Sequence, residues 1–363
     1  MNASSSFCRE SARLHTQWAV MASEVCVCLA CLSTAALNGA FFVLLLTKRP
    51  FHANLWPLLA SISAAFVAFA LGRQLVPVWA LLKALRYAVD ADCGGLPTRP
   101  RVCALATSSV VPSVPAVFLG FTVFGAERLY ATLAYRTYEF NDSATFKRAV
   151  LAAQWLPAMS IAIACYAYVV TSDRGIPTET PLMCSPVQVN PAGPLTLPVL
   201  VFLMLLEAVV AGLLGVALAF NVRQRVRQRQ GRVAPSQREP TTLSQRYQIA
   251  ENIRLTKLVL QLILTHLTLN ILAPVGFVAL MLLEAGDSRS SVALETVHNV
   301  TTSIATLSGA VFVVRCALAN VALRDALLPT AVVRRLKRRS DWAPAEWGND
   351  PVGVVEIMWA QRG

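Results

Sequence analysis

Long apolar runs separated by short polar joints dominate the chain. Runs near 20–47, 55–83, 102–133, 149–171, 194–221, 255–283 and 291–319 each reach the about 20 residues that an α-helix needs to cross roughly 30 Å of hydrocarbon. Prolines and glycines inside these runs are compatible with such helices, because neighbouring helices re-satisfy the freed backbone groups. The pattern predicts an all-α membrane protein. A single bundle of seven transmembrane helices occupies 20–320, between a polar N-terminal segment at 1–19 and a polar tail at 321–363. The longest internal polar stretch, 222–254, falls between the fifth and sixth runs, and no internal repeat or separate soluble domain is visible.

One stretch crosses from polar to apolar without a break: "TLSQRYQIAENIRLTKLVLQLILTHL", residues 242–267. Pro240, then Thr242 with Gln245 three positions on, is a helix start with a capping box. Nothing interrupts the helix before Pro274, so the sixth helix is expected to project about 18 Å below the membrane over roughly twelve residues. Ile249, Ile253 and Leu260 continue its apolar stripe, and Gln248, Glu251, Asn252 and Arg254 present a polar face to neighbouring helices or to a partner. Behind the seventh run, "NVALRDALLPTAVVRRLKRR" predicts a short amphipathic juxtamembrane helix, with Leu323, Ala326 and Leu327 toward the bilayer and Pro329 interrupting it. Cys316 is placed there for palmitoylation.

Composition agrees with the pattern: 55% hydrophobic and 14% charged residues depart from soluble usage. Charge adds the orientation. Most of the 32 Lys and Arg fall on the joints that an N-outside, C-inside arrangement puts in the cytoplasm, among them Lys48, Arg49, Lys147, Arg148, the run Arg223 to Arg232 and the basic tail. These basic segments face anionic inner-leaflet lipid, which accounts for the net charge of +12 without nucleic acid. The first 17 residues lack a signal-peptide core, so the first span is expected to serve as an uncleaved anchor. Asn2 in "NAS" is an outside glycosylation sequon, whereas Asn141 falls inside and Asn299 within the seventh span.

Of nine cysteines, Cys8, Cys93, Cys103 and Cys184 lie where oxidising conditions permit a disulfide. A bridge from Cys103, opening the third span, to Cys184 in "TPLMCSP" would pin the second outer loop over the bundle, with Cys93 or Cys8 as competing partners. Cys26, Cys28 and Cys31 read as small apolar packing in a helix rather than as metal ligands. At the other end of the third span stand Glu127 and Arg128 in "FGAERLYATLAYRTYE", about 37 Å of helix from Cys103. Taken alone, the pair is an interfacial anchor that snorkels to water. Together with the outer cysteines it resembles the rhodopsin-like seven-helix receptors.

A closer resemblance lies in "LSQRYQIAENIRLTKLV" combined with "ERLYATLAYRTYE", which is similar to the nematode serpentine chemoreceptors of the Sra superfamily, the Sra, Srab, Srb and Sre groups. That resemblance implies a plasma-membrane receptor, placed in sensory-neuron cilia, that binds a small environmental molecule and activates a heterotrimeric G protein. It also implies a switch at Glu127, Arg128, Gln248, Glu251, Asn252 and Arg254, in which Glu251 holds Arg128 at rest. Asn38 and Pro274 match a polar residue of the first helix and the proline of the sixth. The seventh span, ending "VFVVRCALANVALRDAL", departs from the general rhodopsin-like pattern by lacking Asn-Pro-x-x-Tyr, and the second span has no acid at its middle.

Ionisable residues within spans are rare and usually face a bundle interior or cavity. Glu207 and His266 lie at similar distances from Pro198 and Pro274 on adjacent spans, either as an intramembrane polar pair or as two separately satisfied residues. Arg73 in the second span and Glu295 with His298 in the seventh form an internal ion-pair set or, as the alternative, contact a ligand. The upper third span, "ATSSVVPSVPAVF", contains no acid. Val110, Val111 and Val114 with Ser109 and Ser113 therefore suggest a pocket for an apolar or neutral ligand. No lysine in 291–319 offers an opsin Schiff base, and the four histidines are dispersed, so neither a cofactor nor a metal site nor an enzyme is expected. The competing class is a transporter or channel, which predicts repeat symmetry or a continuous polar path.

Overall fold

The computed structural model describes residues 17–49, 51, 54–90, 103, 110–134, 144–171, 193–230, 243–283 and 290–327. These form α1 (Trp18–Lys48), α2 (Trp56–Asp90), α3 (Ser113–Leu133), α4 (Ala144–Thr171), α5 (Gly193–Gln230), α6 (Leu243–Leu283), α7 (Ser290–Ala319) and the short α8 (Val321–Leu327). There is no strand among the described residues. Seven helices, α1 to α7, are long and apolar enough to cross a membrane, and the protein is a multi-pass seven-helix bundle.

Helix boundaries follow local chemistry. The α5 helix runs to Gln230, well past its apolar part, because "NVRQRVRQRQ" contains neither Gly nor Pro and consists largely of good helix formers. With α6 starting at Leu243, the stretch 222–254 is helical at both ends. Thr242, the expected cap, lies outside the described residues. Val110–Pro112 form a turn whose Val110 carbonyl accepts from the Ser113 and Val114 amides, and α3 follows it from Ser113. Pro112 and Pro115 account for this: each removes an amide donor and biases the preceding residue away from helix. Between α1 and α2, Arg49 takes a left-handed conformation with φ 43°, and its guanidinium stacks over Trp56 at 5.2 Å.

The most enclosed helix is α3, with 67% of its apolar window buried, whereas α4 at 17% lies against the periphery. Around α3 gathers one core built from Phe41, Leu58, Ile62, Phe66, Phe118, Phe121, Phe124, Leu214, Val259, Ile263 and Phe312. Outward stripes such as Leu205, Val209, Leu213 and Val216 on α5 stay exposed, as expected where lipid is the solvent. Small residues set the helix approach. A Cβ at Gly309 would meet Phe66 and Thr34 at 2.7 Å, and one at Gly125 would collide with Val210. Many polar side chains inside the spans bond back to their own helix, as Thr265, Thr268, Thr296, Ser303 and Thr306 do to the carbonyl four residues earlier.

Buried polar bonds also cross between helices. Asn38 on α1 donates to the Thr34 and Gly309 carbonyls at 3.0 Å and accepts from Ser63 at 3.1 Å, tying α1, α2 and α7 together. Gln154 on α4 donates to the Ala116 carbonyl at 3.0 Å and accepts from Ser61 at 2.7 Å, while Trp155 donates to the same Ser61 hydroxyl. This second node holds α4 against α2 and α3, where little apolar surface does so.

Candidate functional site

At the end of the bundle where α3 finishes, Glu127 and Arg128 are 3% and 1% exposed. Arg128 donates through Nε and Nη2 to both carboxylate oxygens of Glu127 in a bidentate pair. Adjacent residues do not normally face each other on a helix, yet here the two charged groups meet. Two neutral bonds link this region to other helices. Asn252 of α6 donates to the Ala131 carbonyl at 3.2 Å, and Asn221 of α5 donates to the Thr132 hydroxyl at 3.2 Å. Both asparagines meet the last turn of α3, where helix carbonyls lack intrahelical partners.

Asn252 therefore lies on the buried face of α6, with Leu255, Val259, Leu262 and Ile263, and turns to a neighbouring helix. Ile253 and Leu260 flank this stripe half-buried. The reason is that an α3 carbonyl, not water, satisfies the amide. On the outer side of α6, Glu251 sits 3.8 Å from Arg254, and Arg254 also donates to the Ala319 carbonyl at the end of α7. Gln248 belongs to α6, but its side chain lies outside the described residues. Beyond Ala319, Asn320 caps α8 by accepting from the Leu323 amide at 3.3 Å. Leu323 is buried and Leu327 packs partly on the core, whereas Ala326 is exposed. Cys316 is fully buried on the inward face of α7, so the palmitoylation expected of it is not accessible.

Midway along the bundle, Glu207 of α5 and His266 of α6 meet. His266 Nδ1 lies 3.0 and 3.1 Å from the two carboxylate oxygens of Glu207, both residues being buried. One proton lies between the imidazole nitrogen and the carboxyl group in this bond. The imidazole is boxed by Phe118 and Phe121, with ring centroids 4.7 and 4.6 Å away. Of the two arrangements the sequence allowed, the structure forms the pair.

Toward the opposite end, Arg73 of α2 donates from Nη2 to His298 Nε2 of α7 at 2.9 Å. Since arginine cannot accept, His298 presents its unprotonated Nε2 there. Glu295 of α7 and Glu24 of α1, both buried, lie near enough to act on the Arg73 charge. Asn299 donates to Ser23 at 3.1 Å and completes the α1 to α7 side, so the third sequon is a packing residue. Arg73 Nε has no hydrogen-bond partner among the described residues. Val110 and Val111 sit in the turn before α3, Val114 leans on the main core, and Ser113 bonds back to the Val110 carbonyl at 2.9 Å. These residues belong to the start of α3, apart from the Arg73 cluster.

Glu24 was missed by sequence reasoning although its signal was plain: an acid in the middle of an apolar run, "MASEVCV". Asn221, Thr132 and Gln154 gave a weaker signal, being neutral polar residues whose partners are set only by packing. Cys103 is buried and disulfide-bonded. Cys8, Cys93 and Cys184, like Asn2, lie outside the described residues.

Two comparisons bear on this arrangement. The model of the Sre G protein-coupled chemoreceptor family matches residues 194–319, which comprise α5, α6 and α7. Serpentine receptor class alpha/beta-14 of Caenorhabditis elegans is 28% identical over 248 residues, 68% of this chain and 58% of that protein. The chain thus spans little more than half the length of this relative. The matched segment includes the α6 motif, Glu207, His266 and Asn252, whereas Glu127 and Arg128 precede it. The chain is thus similar in sequence to serpentine chemoreceptors, and its seven apolar helices make it a multi-pass membrane protein.

Proposed function

We propose that this protein is a plasma-membrane chemosensory receptor, N-terminus outside, that binds a small apolar or neutral molecule and activates a heterotrimeric G protein by movement of α6. The observation that carries the reading is how α5 and α6 are held at the Arg128 end. Asn221 of α5 donates to Thr132 and Asn252 of α6 to the Ala131 carbonyl at the last turn of α3, beside the Arg128 and Glu127 pair. A neutral bond contributes about 1 kcal/mol, so parting the Asn252 link between α6 and α3 costs little. Gln248, Glu251 and Arg254 on the projecting part of α6 then face the G protein, and Glu251 supplements the hold on Arg128 at rest. Glu207 and His266 act as the pivot that keeps α5 and α6 together above the opening. A disulfide from Cys103 to Cys184 pins the outer loop over the ligand entrance.

Ligand recognition is assigned to the outer half, between the start of α3 at Val110, Val111 and Val114 and the Arg73, Glu295 and His298 cluster. The deciding experiment expresses the full chain with G proteins of each class and measures nucleotide exchange during a screen of small volatile and water-soluble compounds. Ligand-stimulated exchange is the expected result. Solute or ion flux without exchange for any G protein would instead establish a transporter or channel.

A further inference from the structure

The α6 and α7 helices carry a basic cleft on their outward side that the switch does not use. It encloses about 370 Å³ and is lined by Arg254, Lys257, Gln261, Arg315 and Leu318, with Leu258 and Ala319 at its floor. Its direction follows from the exposure pattern. Lys257 and Gln261 continue the exposed stripe of α6 that runs on through Leu264, Thr268, Ile271 and Val275. Leu318 ends the exposed stripe of α7 through Val300, Leu307 and Val314, and Arg315 stands beside it. The cleft therefore opens on the lipid-facing surface, not into the bundle.

Height is fixed by a bond across the two helices, since Arg254 donates to the Ala319 carbonyl. From that level, three residues along α6 and four back along α7 place Lys257 and Arg315 together, about 5 Å farther into the bilayer. Arg254 is also engaged by Glu251 at 3.8 Å, but among the described residues neither Lys257 nor Arg315 has an ion-pair partner. Isolated basic residues at this depth would each snorkel to water separately. Two of them converging with the Gln261 amide on one cleft, below an apolar surface of Leu264, Leu307 and Val314, match a different ligand: a phosphate headgroup in the cleft, with acyl chains rising along that surface.

We propose that this cleft is a binding site for an anionic glycerophospholipid of the leaflet at the Arg128 end. The proposal rests on the membrane-spanning fold and is independent of signalling. The test uses the full chain purified in detergent with phosphatidylserine and phosphatidylcholine in equal amounts, and native mass spectrometry to count retained lipid. Selective retention of phosphatidylserine is expected, falling roughly tenfold or more in Lys257→Gln/Arg315→Gln, since each basic residue near an anionic headgroup contributes about 1 kcal/mol. Lys257→Arg/Arg315→Lys should retain it, and so should Arg223→Gln/Arg225→Gln on α5. If the neutral double variant is not monodisperse, Lys257→Gln alone carries the test and should lose retention severalfold. The proposal is overturned if the neutral variants hold phosphatidylserine as wild type does, if phosphatidylcholine is retained equally, or if excess inorganic phosphate displaces the lipid completely. Unchanged lipid retention with reduced G-protein exchange would assign the cleft to a protein partner and equally defeat the lipid site.

Discussion

The two ends of the bundle solve the problem of buried charge in opposite ways. Near the end of α3, Glu127 and Arg128 pair within one helix, and Asn221 of α5 and Asn252 of α6 attach there through neutral bonds. Toward the other end, Arg73 of α2 donates to His298 of α7, with the buried acids Glu24 of α1 and Glu295 of α7 near enough to act on its charge. Charges shared among helices cannot be separated without leaving one of them unpaired in a low-dielectric interior, which is far costlier than breaking a neutral bond. The Arg73 end is therefore built to stay assembled, and the Arg128 end to open.

That contrast should appear as an ordered series of mutational effects. Arg73→Leu leaves the buried His298 acceptor without its charged donor and removes the cation near Glu24 and Glu295, a loss of about 3 kcal/mol. It is expected to abolish recovery of folded protein or to lower the thermal unfolding midpoint sharply. A variant as stable as wild type would mean that the cluster is not held together by its charge. Next comes Glu207→Leu, which strands the His266 imidazole among phenylalanines at a cost of about 1–3 kcal/mol. Glu207→Gln keeps an acceptor and should unfold within a few degrees of wild type. His266→Phe, with no change in either basal or stimulated exchange, would remove the pivot role.

Smaller effects belong to the opening end. Asn252→Ala deletes one neutral link between α6 and α3, so stability should fall by only about 1 kcal/mol while the open population rises about fivefold. The reading is basal nucleotide exchange at equal surface expression, and an unaltered rate would show that this bond does not restrain α6. Glu251→Ala ranks last, because an ion pair one-third exposed contributes about 0–1 kcal/mol. Basal exchange should rise by less than in Asn252→Ala, and a larger rise would show that Glu251 is the principal restraint on Arg128.

Much of this arrangement was legible in the chain because it depends on runs rather than on partners. Seven apolar stretches gave seven helices, and the absence of Gly and Pro in "LSQRYQIAENIRLTKLV" gave a helix from Leu243 into the membrane. The pairing of Glu207 with His266 was readable as one of two arrangements, since prolines on adjacent spans put both at one depth. Asn252 was readable as part of a polar face turned to neighbouring helices or to a partner, but hydrophobic periodicity could not say that its amide meets a carbonyl at the end of α3. Glu24 escaped for a different reason, as its role emerges only when α1 is seen beside α2 and α7. Cys316 looked accessible by its position near the α7 terminus, but rotation about the helix axis buries it.

The sequence by itself determined which segments are helices, how far α6 reaches beyond its apolar part, and which charged groups had to find partners inside the bundle. All of these follow from local propensity and from the cost of exposing polar groups to hydrocarbon. Only the tertiary structure decided which partner each group took. Arg128 pairs with Glu127 of its own helix whereas Arg73 bonds to His298 of another, because helix rotation and packing at small residues such as Gly125 and Gly309 set which side chains come within hydrogen-bonding distance.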